Sequence, residues 1–174
     1  MDASHTIRGR ILALVFAVVV VAGCKSQARK DHEALGASMR SAVDSLCDSY
    51  MRVEGGGCVT VECHHKRDAG YGHAAVVASR GLASVPTFSD PKTEAALSTV
   101  RAAAQRVLDA YGVACGDVRV DWNDFRPSPE VTRCADARNA VSLVGGLVDA
   151  VAALAADVKT RTGAEIPSTS SCPP

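Results

Sequence analysis

Three stretches of this chain repeat apolar residues at three- and four-residue spacing, and that spacing confines the fold to packed helices. The first begins at Asp31 and places Leu35, Met39, Ala42 with Val43, Leu46, Tyr50 and Val53 on one stripe, until Gly55-Gly56-Gly57 stops it. The second opens with Asp90 as a cap and Pro91 at the first helical position. Its face carries Leu97, Val100, Ala104, Val107 with Leu108, and Tyr111, and Gly112 ends it. The third starts at Ser128-Pro129-Glu130 and runs to about Thr162, with Gly163 as the stop. Val131, Cys134, Val141, Val144, Val148, Val151, Ala155 and Val158 lie along it, widened by Leu143, Leu147 and Leu154. Gly145-Gly146 sits mid-helix, at a cost of about 1 kcal/mol per glycine, and predicts a kink or a close helix contact. The expected fold is all-α: a small antiparallel bundle of three long helices.

The segments between the stripes read differently. Cys58 to Ser89 holds the β-branched Val59-Thr60-Val61, a turn-like Gly70-Tyr71-Gly72 and a small apolar run from His73 to Ser79. This predicts a cysteine-containing irregular or short β-hairpin insertion between helices one and two, with a short helix from His73 as the other reading. In the connector Val113 to Pro127, Val118, Val120 and Trp122 alternate with Asp117, Arg119 and Asp121, as in a short strand or extended loop. Residues 165–174 form a Ser/Pro-rich tail, expected to be loose except where Cys172 holds it. The helical domain is thus expected to span 31–164.

Aromatics make up 4% of the chain, and Ala and Val supply most of its apolar content. A core of small side chains buries little area per residue and gains from covalent staples. Cys47, Cys58, Cys63, Cys115, Cys134 and Cys172 can supply three, in any of 15 pairings. Cys115 and Cys134 flank the second connector, so a bridge there would join helices two and three. Cys47 is expected to pair with Cys58, Cys63 or Cys172. Charge is balanced, at 19 Lys and Arg against 19 Asp and Glu. Without a basic stripe and interleaved aromatics, no nucleic-acid partner is implied.

The first two dozen residues speak to location. His5, Arg8 and Arg10 form a basic region, and Ile11 to Ala22 carries no charge. That run is too short for a spanning helix, which needs about 20 apolar residues, and has the length of a secretory core. It ends in Val21-Ala22-Gly23-Cys24. This resembles the lipobox of bacterial lipoproteins: an aliphatic residue, a small residue, Gly or Ala, then Cys. The resemblance covers Met1 to Cys24 only. It implies that residues 1–23 are a lipoprotein signal peptide, that Cys24 is the lipidated first residue of the mature chain (diacylglycerol on sulfur, often an acyl chain such as palmitate on the amine), and that 24–30 is a tether. Two or three acyl chains suffice for stable anchoring. The implied location is the bacterial cell envelope, and Lys25 after the cysteine leans toward the periplasmic face of the outer membrane in a cell with two membranes.

Two clusters carry candidate chemistry. Cys58-Val59-Thr60-Val61-Glu62-Cys63-His64 looks like a wide-gap variant of the C-x-x-C-H haem attachment pattern, with His64 as axial ligand and His73, Met39 or Met51 opposite. The same segment offers His64, His65 and His73, with Glu62 or Asp68 as a further ligand, as a metal site, although adjacent histidines on a strand face apart. The plain reading is a disulfide beside a solvated loop. In Asp121-Trp122-Asn123-Asp124, two carboxylates beside an aromatic suggest acid–base work on a sugar, against an ordinary capped turn. The chain contains no G-x-S-x-G, H-E-x-x-H, phosphate-binding glycine loop or EF-hand loop.

The expectation is therefore a non-enzymatic lipoprotein with no cofactor, held to a membrane by lipid, whose disulfide-stapled domain binds an envelope protein or cell wall. The alternative is a metal- or haem-binding redox lipoprotein using Cys58, Cys63 and His64.

Overall fold

The computed structural model describes residues 27–48, 58–121, 123–124, 126–137 and 141–172. Cys24, Tyr50, Met51, Val53 and Trp122 lie outside these residues. The described chain is all-helical and disulfide-stapled, with five α-helices and no strand. They are α1 (27–48), α2 (Val61–Ala83), α3 (Pro91–Cys115), α4 (Pro129–Asp136) and α5 (Val141–Thr162), followed by a short 3-10 turn, Thr169–Ser171. No helix among the described residues is long and apolar enough to cross a membrane.

The largest departure from expectation is α2, a 23-residue helix where a hairpin or irregular insertion was predicted. Thr60 supplies the reason at its start. It is extended at φ −115° and ψ 156°, and its hydroxyl accepts the Cys63 N–H at 3.2 Å, so the β-branched run is a helix cap and not a strand. Gly72 supplies the reason in the middle. A Cβ there would lie 2.7 Å from Cys115 Sγ and 2.9 Å from Cys134 Sγ, so the glycine is a close-contact point beneath a disulfide and not a turn. Gly81 repeats the device two turns on, where a Cβ would stand 2.7 Å from the Cβ of Ala42 on α1.

The other start signals hold. The Asp90 carboxylate accepts the Thr93 N–H at 2.9 Å, and the Ser128 hydroxyl accepts the Val131 N–H at 3.3 Å. Gly112 does not end α3, which continues to Cys115 with Gly116 as its cap. The third stripe forms two helices, α4 and α5, instead of one, and Gly145-Gly146 lies inside α5. Gly163, at φ +68°, ends α5 as expected.

α3 is the hub, in contact with α2, α4 and α5. Arg101 donates to the Val85 carbonyl at 3.1 Å while Gly72 abuts Cys115, so α3 runs back along α2. Asp90 at the start of α3 meets Arg161 at the end of α5, so those two are also antiparallel. α1 starts beside Thr93 and crosses Gly81 at Ala42. The bundle thus has a near end, where α1 and α3 begin and α5 ends, and a far tip, where α2 begins beyond the end of α3. Leu35, Met39, Leu46, Val76, Leu82, Leu97, Val100, Val107, Val144, Leu147, Leu154 and Val158 fill the space between.

The tail, expected to be loose, packs instead. Ala164 and Ile166 are buried, and Ile166 and Pro167 lie against Gly36, where a Cβ would meet each at 3.2 Å. The Thr169 hydroxyl donates to the Val148 carbonyl at 3.1 Å, and Cys172 is bonded to Cys47 across 125 residues. The remaining bridges are Cys115–Cys134 and Cys58–Cys63. Cys115–Cys134 is buried in the core and ties the end of α3 to α4, whereas Cys58–Cys63 closes a loop of only five residues at the far tip.

Candidate functional site

The far tip gathers most of the residues that the sequence marks as chemical. Cys63, His64 and His65 lie in the first turns of α2, after the Thr60 cap. Glu62 joins them, its carboxyl held below the ordinary glutamate range by its own backbone N–H and the Thr60 hydroxyl, with His65 adding a smaller push. The helix then separates the imidazoles. Successive residues turn about 100°, and His73 stands eight residues beyond His65, about 12 Å along the axis. His73 is also committed elsewhere: its Nδ1 donates to the Cys115 carbonyl at 3.0 Å. With Arg80, whose Nη1 reaches the Gly116 carbonyl at 3.4 Å, it covers the carbonyl end of α3, whose own last turn has no basic residue.

His64, His65 and His73 are therefore not brought to one point, and no three His, Cys, Asp or Glu among the described residues are placed to hold a metal ion. Both sulfurs of the haem-like pattern are bonded to each other in the Cys58–Cys63 disulfide. Thioether attachment would first need that bond reduced. Met39, one of the opposite ligands considered, is fully buried in the core.

Asp121 and Asp124 lie in exposed turns. Asp121 Oδ1 accepts the Asn123 N–H at 2.8 Å, and Asp124 Oδ1 accepts the Arg126 N–H at 3.0 Å, so each carboxylate caps its own turn. The buried Lys66 of α2 donates through Nζ to the Asp124 carbonyl and holds this connector to the tip. Val118, buried, and Val120, packed at the edge of the core, account for the alternation read there without a strand.

The most developed polar cluster lies at the near end, and sequence reasoning passed over most of it. His32 is 3% exposed and Thr93 fully buried. His32 Nδ1 sits 2.7 Å from the Ala28 carbonyl, which can only accept, so that nitrogen carries a proton; Nε2 is 3.0 Å from Thr93 Oγ1. The Thr93 hydroxyl donates to Asp90 at 2.7 Å and accepts from Arg161 Nη2 at 2.9 Å. Arg161 also bridges Asp90 at 2.8 Å and Asp157 at 2.5 Å. Asp90 is held down to about 2 by the Thr93 hydroxyl and backbone N–H, helped by Arg161. Asp157 is likewise lowered, chiefly by Arg161.

A histidine beside a hydroxyl and a carboxylate resembles an activated nucleophile in composition. The burial argues otherwise, since a fully buried hydroxyl that already bonds three neighbours has no room for a substrate. The cluster is a clasp that fixes the start of α1 to α3 and α5. One signal for it exists in the sequence: His32 falls three residues before Leu35, on the buried stripe, where a polar side chain needs a partner.

A shallow, open concavity lined by Ala37, Arg40, Ser41, Asp44, Ser45 and Asp48 follows one exposed face of α1 and has no wall from another described element. Neither protein-family models, curated proteins nor solved structures yield a match to this chain.

Proposed function

We propose that this chain is an exported lipoprotein, anchored through lipid on Cys24, whose helical domain serves as a binding or structural module of the bacterial cell envelope. One observation carries the reading: the three disulfides pair all six cysteines after residue 24 with one another, so none of them claims Cys24. A spare cysteine that directly follows Val21-Ala22-Gly23 is what a lipidation site requires, and three disulfides suit an oxidising compartment. Among the described residues no catalytic group lies beside a cleft, which favours a binding or scaffolding role over chemistry. Helices packed as a unit would present that module near the lipid surface, with the periplasmic face of the outer membrane as its place in a two-membrane cell.

Intact mass of the protein from its native host, unreduced and then reduced, tests this. The expected mass is that of residues 24–174 plus two or three acyl chains, less six hydrogens that return on reduction. A Cys24→Ser variant should lose membrane association. An unmodified full chain, or a Cys24→Ser variant that still sediments with membranes, would overturn the anchor.

A further inference from the structure

We propose that the Cys58–Cys63 bridge is a thiol–disulfide exchange site whose co-reactant is a protein dithiol. The inference does not depend on the lipid anchor. It rests on what each of the three bridges would release if opened. Cys115 and Cys134 are buried at 0% and 1% exposure, and Gly72 of α2 packs directly beneath their sulfurs. Opening that bond disturbs the centre of the bundle. Cys47–Cys172 holds down a tail that buries Ala164, Ile166 and Thr169, so opening it frees packed surface.

Cys58–Cys63 is unlike both. Its two cysteines are half-buried, as Cys47 and Cys172 are, but Cys47 packs against the core and neither of these does, and the loop between them is solvent-facing, with Val59 94% and Val61 65% exposed. Burial of α2 against its neighbours begins at Lys66 and Ala69, beyond the bridge. The Thr60 cap runs from hydroxyl to backbone N–H and not through the sulfurs. An exchange site must open and close without unfolding the protein, and among the three bridges this one has that property. Its setting also suits the leaving group: Cys63 lies in the first turn of α2, where the partial positive charge of the helix end favours a thiolate.

The exchange balances as follows. A thiolate of the dithiol attacks Cys58 Sγ, and the electron pair of the S–S bond leaves on Cys63 Sγ, which gives a mixed disulfide at Cys58. The second thiol of the partner, deprotonated, attacks its own sulfur in that mixed bond and releases Cys58 as thiolate. The partner ends as a disulfide, oxidised by two electrons. Cys58 and Cys63 end as thiols, after taking up the two protons the partner released.

The test treats the full chain, all bridges intact, with dithiothreitol as the dithiol probe. Free thiols are trapped over time by an alkylating mass tag and mapped, with helical circular dichroism followed on the same samples. The expected result is alkylation of Cys58 and Cys63 at least about tenfold faster than of Cys47, Cys172, Cys115 or Cys134, with the helical signal and cooperative melt retained. A Cys58→Ser, Cys63→Ser variant should fold and lack the fast phase. The proposal falls if Cys47 and Cys172 open as fast, if the first reduction melts the helices, or if the double variant does not fold.

Discussion

At the near end of the bundle, His32, Thr93, Asp90, Arg161 and Asp157 bond one another across three helices; at the far tip, Cys63, His64 and His65 stand in the first turns of a single helix, with Cys58 just ahead of it, next to solvent. The residue types suggest opposite roles. Cysteines followed by paired histidines look like a reactive centre, whereas an aspartate before a proline looks like a helix cap. The difference is one of connectivity. A polar group contributes to structure when its bonds join elements distant in sequence, and His32 to Thr93 spans 61 residues while Arg161 to Asp90 spans 71. The tip's own bridge spans five. In the chain-entropy account a closure that short stabilises by roughly 2 kcal/mol, against nearly 5 for one of 125 residues. Changes in the body of the bundle should therefore unfold the protein, and changes at the tip should leave it standing.

Gly72→Ala is expected to have the largest effect, because it strikes where the tip helix enters the body. Its methyl would meet two disulfide sulfurs below 3.0 Å, and a bridged sulfur cannot swing away as a free side chain would. Overpacking of this kind costs about 1–3 kcal/mol, against a helix-propensity gain of about 1. A net loss of up to about 2 kcal/mol in denaturant melts is expected. The comparison is sharpened in a Cys115→Ala, Cys134→Ala background, where the same substitution should be neutral or stabilising. A loss of equal size there would show that the sulfurs are not the cause.

The clasp comes next in size. Arg161→Met leaves Asp90 and Thr93 without their shared donor, a loss of about 1–2 kcal/mol once the partial exposure of Asp90 is allowed for. Its signature is in the pH dependence. Asp90 ionises at about 2 in the folded chain, below its unfolded value near 4, so its contribution is present above about pH 4 and disappears as pH falls toward 2. Asp90→Asn keeps a helix-capping side chain and removes the charge, and should flatten the acid limb of the stability curve. An acid limb identical to that of the parent protein would mean that the clasp does not depend on the aspartate's charge.

How much of this was legible follows from side-chain size. The stripes of α1, α3 and α5 are made mostly of Leu, Met, Val and Tyr, and most of their buried residues are ones the periodicity picks out, although Leu108, Leu143 and Val148 are only half-buried. The stripe of α2 is Ala69, Gly72, Val76, Ser79 and Leu82, too small and too polar to register as apolar periodicity. Its reason lies in neighbours far along the chain: the disulfide over Gly72 and Ala42 against Gly81. The Cys115–Cys134 bridge was readable because the pair flanks one connector, and Cys172 was among the partners open to Cys47. The clasp was nearly invisible, since Thr93 and Arg161 occupy helix ends where polar residues are ordinary and only His32 stands on an apolar stripe. Local signals locate caps and stripes; contacts between small residues, and polar bonds across the bundle, come only with the third dimension.

The smallest expected effect tests the tip directly. His64→Gln with His65→Gln removes two imidazoles from a helix start whose cap, Thr60, and whose bridge, Cys58–Cys63, are untouched. Neither histidine belongs to the core or bridges helices, and surface substitutions away from such features stay within about 0.5 kcal/mol. Thermal and denaturant melts should therefore overlay those of the parent chain. The same variant titrated with zinc gives the second half of the comparison. If adjacent helical residues splayed by about 100° do not share an ion, affinity should not change. A tenfold loss of zinc affinity with unchanged melts would make the tip a metal site assembled from groups that the folded chain does not hold together on its own. Unchanged melts and unchanged affinity would leave the disulfide, and not the histidines, as the chemistry of the tip.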